Sequence, residues 1–342
     1  MDTEIINSFL GSLSKKTETN FNEEQCRIGD SKIVFNKGNF SSLTVESGNR
    51  VVYIDGGDSV LFETPQAVLF FIRLAAVHYK GRKRTKVDSQ EFFCLSKVVY
   101  GKDEKLFYDI ELFTDVFDKG FQKFKVDSQH ETLIEGRQNA EQGRIVDLVR
   151  RMSEILFAGK VMRCLDKNDL IVLDGSFLNL LCMQDKAFWQ VKEKSDKLGV
   201  NLAALSKTSS LVTLKGNNPM HLLQMNGPDK AWLYDAGKIF DNSMQFRLYF
   251  CKLHDKAQHV FKMESIAPIS NQINYLASHA RDPVFLGYPY GLVDADQFAR
   301  VSNTEKERLR TKMAVLAGKN FDQIKENIAA QNAHEILDRI KF

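Results

Sequence analysis

Between residue 30 and about residue 115, apolar positions cluster or alternate in short runs: Ser31–Phe35, Val51–Ile54, Ala67–Tyr79, Glu91–Tyr100 and Leu106–Phe113. Runs of this length, bounded by Gly56-Gly57, Gly81 and Gly101, predict strands. From about Gln129 to Leu165 the period changes. Proline is absent there, and Ile145, Leu148, Val149, Met152 and Leu156 recur on one helical face. Glu154, Ala158, Val161 and Leu165 form a second column at i, i+4, i+7 and i+11, so the helix is predicted to be covered on two sides, with Glu154 pointing into protein. Further strands are predicted at Leu170–Leu173, Asn201–Leu205, Leu211–Leu214 and Gln245–Leu253. The last quarter reads as helical, with a capping box at Asn303-Thr304-Glu305-Lys306-Glu307 and a final amphipathic helix on Phe321, Ile324, Ile328, Ala333, Leu337 and Ile340. Residues 1–30 read as a helical and polar lead-in. Residues 31–342 read as one domain, with its core at about 49–300 and C-terminal helices at 303–342.

A chain of 342 residues can bury a large core, and 43% hydrophobic with 27% charged residues is ordinary for a soluble protein. The first twenty residues lack an apolar signal segment, and the longest apolar stretch, 67–77, is too short to span a bilayer and is broken by Arg73. A cytoplasmic protein without membrane association is expected. The five scattered cysteines form no C-x-x-C pair, which predicts buried thiols in a reducing compartment and argues against a zinc site. A net charge of +3 excludes a basic nucleic-acid coat. Charge is nevertheless concentrated at Lys80-Gly81-Arg82-Lys83-Arg84-Thr85-Lys86, which reads either as a DNA-phosphate contact through Arg82, Lys83 and Arg84 or as a solvated hairpin tip.

Two apolar runs end on aspartate followed by glycine: Val51-Val52-Tyr53-Ile54-Asp55-Gly56 and Leu170-Ile171-Val172-Leu173-Asp174-Gly175. Each alone is a common turn. Side by side, two such strands set two carboxylates at one sheet edge, an oxygen-only donor set suited to Mg²⁺ or Mn²⁺. The order completes the pattern: a β meander bearing Asp55, a long helix with inward Glu154, then a strand ending on Asp174. That order is the layout of an α/β, ribonuclease-H-like fold, a mixed sheet flanked by helices, in which such carboxylates hold two divalent ions about 4 Å apart for phosphodiester hydrolysis. The competing reading of Glu154 is a structural pairing with Arg150 or Arg151, and Glu131 and Glu135 are alternative helix carboxylates. No G-x-x-x-x-G-K-[ST] loop is present, which argues against an NTPase.

The chain resembles the NurA nuclease family from about Asn49 to its C-terminus. The resemblance rests on Tyr53-Ile54-Asp55-Gly56, Leu170–Ser176, Ala204-Leu205-Ser206-Lys207-Thr208-Ser209, Leu248-Tyr249-Phe250-Cys251-Lys252-Leu253 and Gly287-Tyr288-Pro289-Tyr290 through Asp296. It implies a Mn²⁺- or Mg²⁺-dependent DNA nuclease with 5′-to-3′ exonuclease and single-strand endonuclease activity, working in DNA end resection. It also implies a homodimer beside a HerA-type hexameric ATPase. Asp55, Glu154 and Asp174 become metal ligands, Lys207 a cation near the scissile phosphate, and Tyr288 the family's C-terminal tyrosine. Asp296 stands where several relatives place a histidine, and is taken as a further ligand. Gly57 stands where serine is frequent. The alternatives are a catalytically silent DNA-clamping or scaffold subunit, and a ribonuclease-H-like enzyme acting on RNA or junctions. Ile5, Ile6, Phe9 and Leu10 have the spacing of a short helix that either packs on the core or docks a partner.

Overall fold

The fold is that of a computed structural model, which describes residues 3, 5–6, 21–44, 48–101, 105–134, 139–241 and 244–318. A two-stranded ribbon, β1 (Gln25–Ile28) and β2 (Ser31–Val34), precedes the main sheet. The sheet is built from β3 (Phe40–Ser42), β4 (Arg50–Thr64), β5 (Ala67–Lys80), β6 (Lys83–Tyr100), β7 (Leu106–Phe113), β8 (Lys123–Asp127), β9 (Leu170–Asp174), β10 (Asn201–Ser206), β11 (Trp232–Asp241), β12 (Met244–Lys252) and β13 (Phe261–Ser265). Its order is β3-β11-β12-β13-β10-β9-β4-β5-β6-β7-β8. Only β9 runs parallel to its neighbours, β4 on one side and β10 on the other. Three antiparallel strands, β6-β5-β4, continued by parallel β9 and β10, form the ribonuclease-H-like centre anticipated from the order of elements.

Helices cover both faces. After a short α1 (Lys119–Gln122), α2 (Gln142–Val161) lies over β4, β5 and β9, with α3 (Gln184–Leu198) beside it. A brief α4 (Pro219–Asn226) follows, then α5 (Ser270–His279), α6 (Tyr290–Ala299) and α7 (Asn303–Ala317). The sheet divides two cores. Val52, Ile54, Leu74 and Ile171 face α2, whereas Val51, Tyr53, Val77 and Val172 face α5 and α6. Being buried on both faces explains why β9 reads as an unbroken apolar run instead of alternating. Among the described residues no helix is long and apolar enough to cross a membrane.

Several sequence expectations need correction. β4 does not stop at Asp55-Gly56: Gly56 and Gly57 continue its ladder with β5 as far as Thr64. A fourteen-residue partner strand supplies the pairing that overrides the local turn signal. β6 begins at Lys83, eight residues early, because Lys80 pairs with Lys83 across a two-residue turn whose Gly81 has φ +57°. The long helix starts at Gln142, so Glu131 is exposed in a turn, and Glu135 lies outside the described residues. Leu211–Leu214 is not a strand. It makes one bridge, Thr213 to Cys26, before a turn at Gly216. The cap of α7 is Ser302, whose hydroxyl accepts from the Glu305 N–H (3.2 Å), one residue before the predicted capping box begins. Cys26, Cys94 and Cys251 are buried, but Cys164 is exposed and Cys182 half-buried. Ile5 and Ile6 are helical and exposed; Phe9, Leu10 and the amphipathic segment from Phe321 to Ile340 lie outside the described residues.

Candidate active site

The ladder between β4 and β9 ends on the pair Ile54–Leu173. Asp55 and Asp174 are therefore the next residues on adjacent strands, where the inter-strand spacing is about 5 Å. Glu154 descends from α2 onto the same place. Gly56 makes that approach feasible: a Cβ there would lie 2.7 Å from Glu154 Oε1. Glu154 is buried, with Oε1 accepting from Arg150 Nη1 (2.9 Å) and Oε2 from Arg151 Nη1 (2.7 Å). The pairing of Glu154 with both arginines thus coexists with a position close to Asp55.

Lys207, one residue past β10, donates to Asp174 Oδ2 (2.6 Å) and sits 5.2 Å from the centre of the Tyr288 ring. Tyr288, just before α6, is buried, and among the described residues its hydroxyl has no hydrogen-bond partner of good geometry, although Asp174 stands close. Burial, then the charges of Asp174, Asp55 and Asp296, push that hydroxyl well above the usual tyrosine range. Asp296, on α6, is paired with Arg300 (3.0 Å). Six sequence-predicted residues, Asp55, Glu154, Asp174, Lys207, Tyr288 and Asp296, are therefore brought to the edge at which β9 ends, although β4 itself runs on past Asp55.

Asp55 differs from the other carboxylates. Its Oδ1 accepts from the Gly56 N–H (2.8 Å), and among the described residues no lysine or arginine pairs with it. Burial, then the neighbouring Glu154 and Asp174, raise its carboxyl to about 7, with Asp296 adding to the effect. Among the described residues this buried carboxylate, pressed by three others, has no counter-ion, a need that a divalent cation would meet.

The donor chemistry fits Mn²⁺ or Mg²⁺: all hard oxygens, with Glu154 and Asp174 each keeping unused lone pairs beside their ion pairs. As the side chains stand, among the described residues no three of them are gathered tightly enough to hold an ion; Asp174 is paired with Lys207, and Glu154 with Arg150 and Arg151.

Arg82, Lys83 and Arg84 are not brought to this edge. Asp55 pairs with Ala75, and the hairpin tip begins five residues further along β5, roughly 17 Å away at a strand's rise per residue. Arg84 is instead tied to Asp294 of α6 (2.9 Å), and the Arg82 carbonyl accepts from Tyr290. Sequence reading missed Lys262 and Glu264, a buried ion pair (2.6 Å) beside Ser176, because β13 was not predicted; two charges in a short apolar run were the available signal.

Gly57, the departure from serine, has a structural reason. A Cβ at this position would run into the Ala299 carbonyl at the end of α6. Gly57→Ser is expected to push α6 away and cost about 1–3 kcal/mol, measured as a lower urea midpoint. A midpoint equal to wild type would show that α6 yields without strain.

A model of the NurA domain matches residues 50–301. Among solved structures, the NurA nuclease from Sulfolobus solfataricus is 12% identical with a TM-score of 0.54, covering 93% of this chain and 94% of that one. A structure of NurA with manganese is 10% identical with a TM-score of 0.53, covering 92% and 96%. A third NurA structure is 9% identical with a TM-score of 0.50, covering 80% and 90%. At such identities the likeness is one of fold. A comparison with curated proteins finds no match.

Proposed function

The chain belongs to the NurA family, and on that premise we propose that it is a divalent-metal-dependent deoxyribonuclease that hydrolyses phosphodiesters by two-metal chemistry. The observation that carries this reading is Asp55, a buried carboxylate among three others and, among the described residues, without a lysine or arginine paired to it. Asp55, Glu154, Asp174 and Asp296 would hold the metal, Mn²⁺ or Mg²⁺. When bound there, such ions would supply a lowered pKa for an attacking water and positive charge for the phosphodiester. Lys207, half exposed, offers its ammonium to a non-bridging phosphate oxygen once Asp174 is engaged elsewhere. The Tyr288 ring supports that lysine, and its hydroxyl is a donor close to Asp174. Arg150 and Arg151 hold Glu154 in place. Burial works against the Arg150 charge, but Glu154, Asp58 and Asp147 outweigh it and keep the guanidinium firmly protonated.

The same reading extends to 5′-to-3′ exonuclease and single-strand endonuclease activity in DNA end resection, in the cytoplasm. The partner is a HerA-type hexameric ATPase, which supplies the nucleotide-binding loop this sequence lacks. The working form is a homodimer of the 39.1 kDa chain, testable by light scattering. Arg82, Lys83 and Arg84 would then contact DNA away from the reacting phosphate.

The ion pairs already made by Glu154 and Asp174 favour one rival, a non-catalytic DNA-clamping subunit. End-labelled single- and double-stranded DNA, incubated with Mn²⁺, Mg²⁺ or EDTA, decides between them. Cleavage that needs the metal is expected. Binding without cleavage would establish the clamp, and a preference for RNA or junctions would move the enzyme to another ribonuclease-H-like class.

A further inference from the structure

The turn that carries Asp174 is gripped by charge from two sides, half-buried Arg151 and buried Glu264. From α2, Arg151 donates Nη1 to the Asp174 carbonyl oxygen (2.6 Å) and Nη2 to the Ser176 carbonyl oxygen (3.0 Å). The same Nη1 meets Glu154 Oε2 at 2.7 Å, and the guanidinium lies 5.8 Å from the centre of the Phe177 ring. From β13, fully buried Glu264 accepts from the Ser176 hydroxyl (3.0 Å) and the Phe177 N–H (3.3 Å). Between these grips Gly175 takes φ +99°, a conformation L side chains rarely adopt.

Among the described residues Arg151 is the one side chain that touches both Glu154 and the Asp174 turn. Arg150 also binds Glu154, but its other contacts are Asp58 (3.1 Å), the Gly56 carbonyl (3.4 Å) and Asp147 (3.4 Å), all on β4 or α2. A planar guanidinium fixes several acceptors at set separations, which a lysine's single ammonium cannot reproduce. We propose that Arg151 is a positioning residue that sets the separation of the Glu154 and Asp174 carboxylates, and through it the affinity of the site for a divalent cation. This rests on the metal-dependent reading above. It assigns Arg151 no contact with substrate.

The test is Mn²⁺ binding by titration calorimetry to the full chain and to Arg151→Lys, with Arg150→Lys as the comparison. Partners behind a ligand contribute about 10–100-fold to metal affinity, so Arg151→Lys is expected to bind Mn²⁺ that much more weakly. Arg150→Lys should lose less. A circular dichroism spectrum and urea midpoint near wild type separate this loss from unfolding. Should Arg151→Lys fail to fold, Arg151→Gln, which keeps one donor, is measured instead; unfolding of both assigns Arg151 to the core and overturns the proposal. Wild-type protein that binds Mn²⁺ alongside an Arg151→Lys variant within twofold of it overturns this inference alone. Wild-type protein that binds no Mn²⁺ overturns the metal-dependent reading as well.

Discussion

Asp174→Asn is expected to lower Mn²⁺-dependent DNA cleavage by about 10²–10³-fold or more, the scale seen when one charge-stabilising group is removed from an active site. The swap keeps volume and keeps the backbone contacts of the turn, since Arg151 holds the Asp174 carbonyl and not its carboxylate. What it removes is the charge at the end of β9 and the partner of Lys207. Loss of activity should therefore come with a normal circular dichroism spectrum. Asp55→Asn should be as inactive, for the same reason on the neighbouring strand. Near wild-type cleavage by either variant would exclude the two-metal reading.

The same two variants part company in stability. Without metal, ionised Asp55 is a liability: its carboxyl is raised from 3.8 to about 7, so the folded state prefers the protonated form. The sign follows directly. Stability from this group is intact below about pH 4 and is lost as pH rises toward 7, by an amount on the order of 4 kcal/mol. Metal-free Asp55→Asn should therefore unfold at higher urea than wild type at about pH 7.5, with the gap closing on acidification. Divalent metal narrows the gap. At about a hundred times its dissociation constant, Mn²⁺ should add roughly 2.7 kcal/mol to wild type and little to Asp55→Asn. Melting curves with and without Mn²⁺ at two pH values read both effects. Wild-type stability indifferent to Mn²⁺ would count against a site built for a cation.

The centre of the fold and most of its candidate site were legible in the chain itself. Runs such as Leu170–Leu173 are apolar at every position only where both faces of a strand are covered, which already implied helices on two sides of the sheet. Glu154 was legible because a helix repeats every 3.6 residues, so a carboxylate in an apolar column must point inward. Asp55 and Asp174 were legible as polar residues following apolar runs. The resemblance to the NurA family supplied Lys207, Tyr288 and Asp296, whose spacing alone carries no comparable signal.

Pairing partners far along the chain decided the rest. Gly56-Gly57-Asp58-Ser59 has the local composition of a turn, yet β5 offers a ladder that keeps it extended, and no local pattern reveals a partner's reach. The proximity of Lys262 and Glu264 to Ser176, 86 and 88 residues away, exists only once β13 is seated beside β10. Arg151 bonds to backbone carbonyls, which every residue possesses, so nothing in its sequence neighbourhood distinguishes it from Arg150. The raised carboxyl of Asp55 likewise follows from desolvation and three approaching charges. Periodicity fixes which way a side chain points, whereas electrostatics depends on what other segments bring within a few ångströms, and that is decided by the tertiary fold.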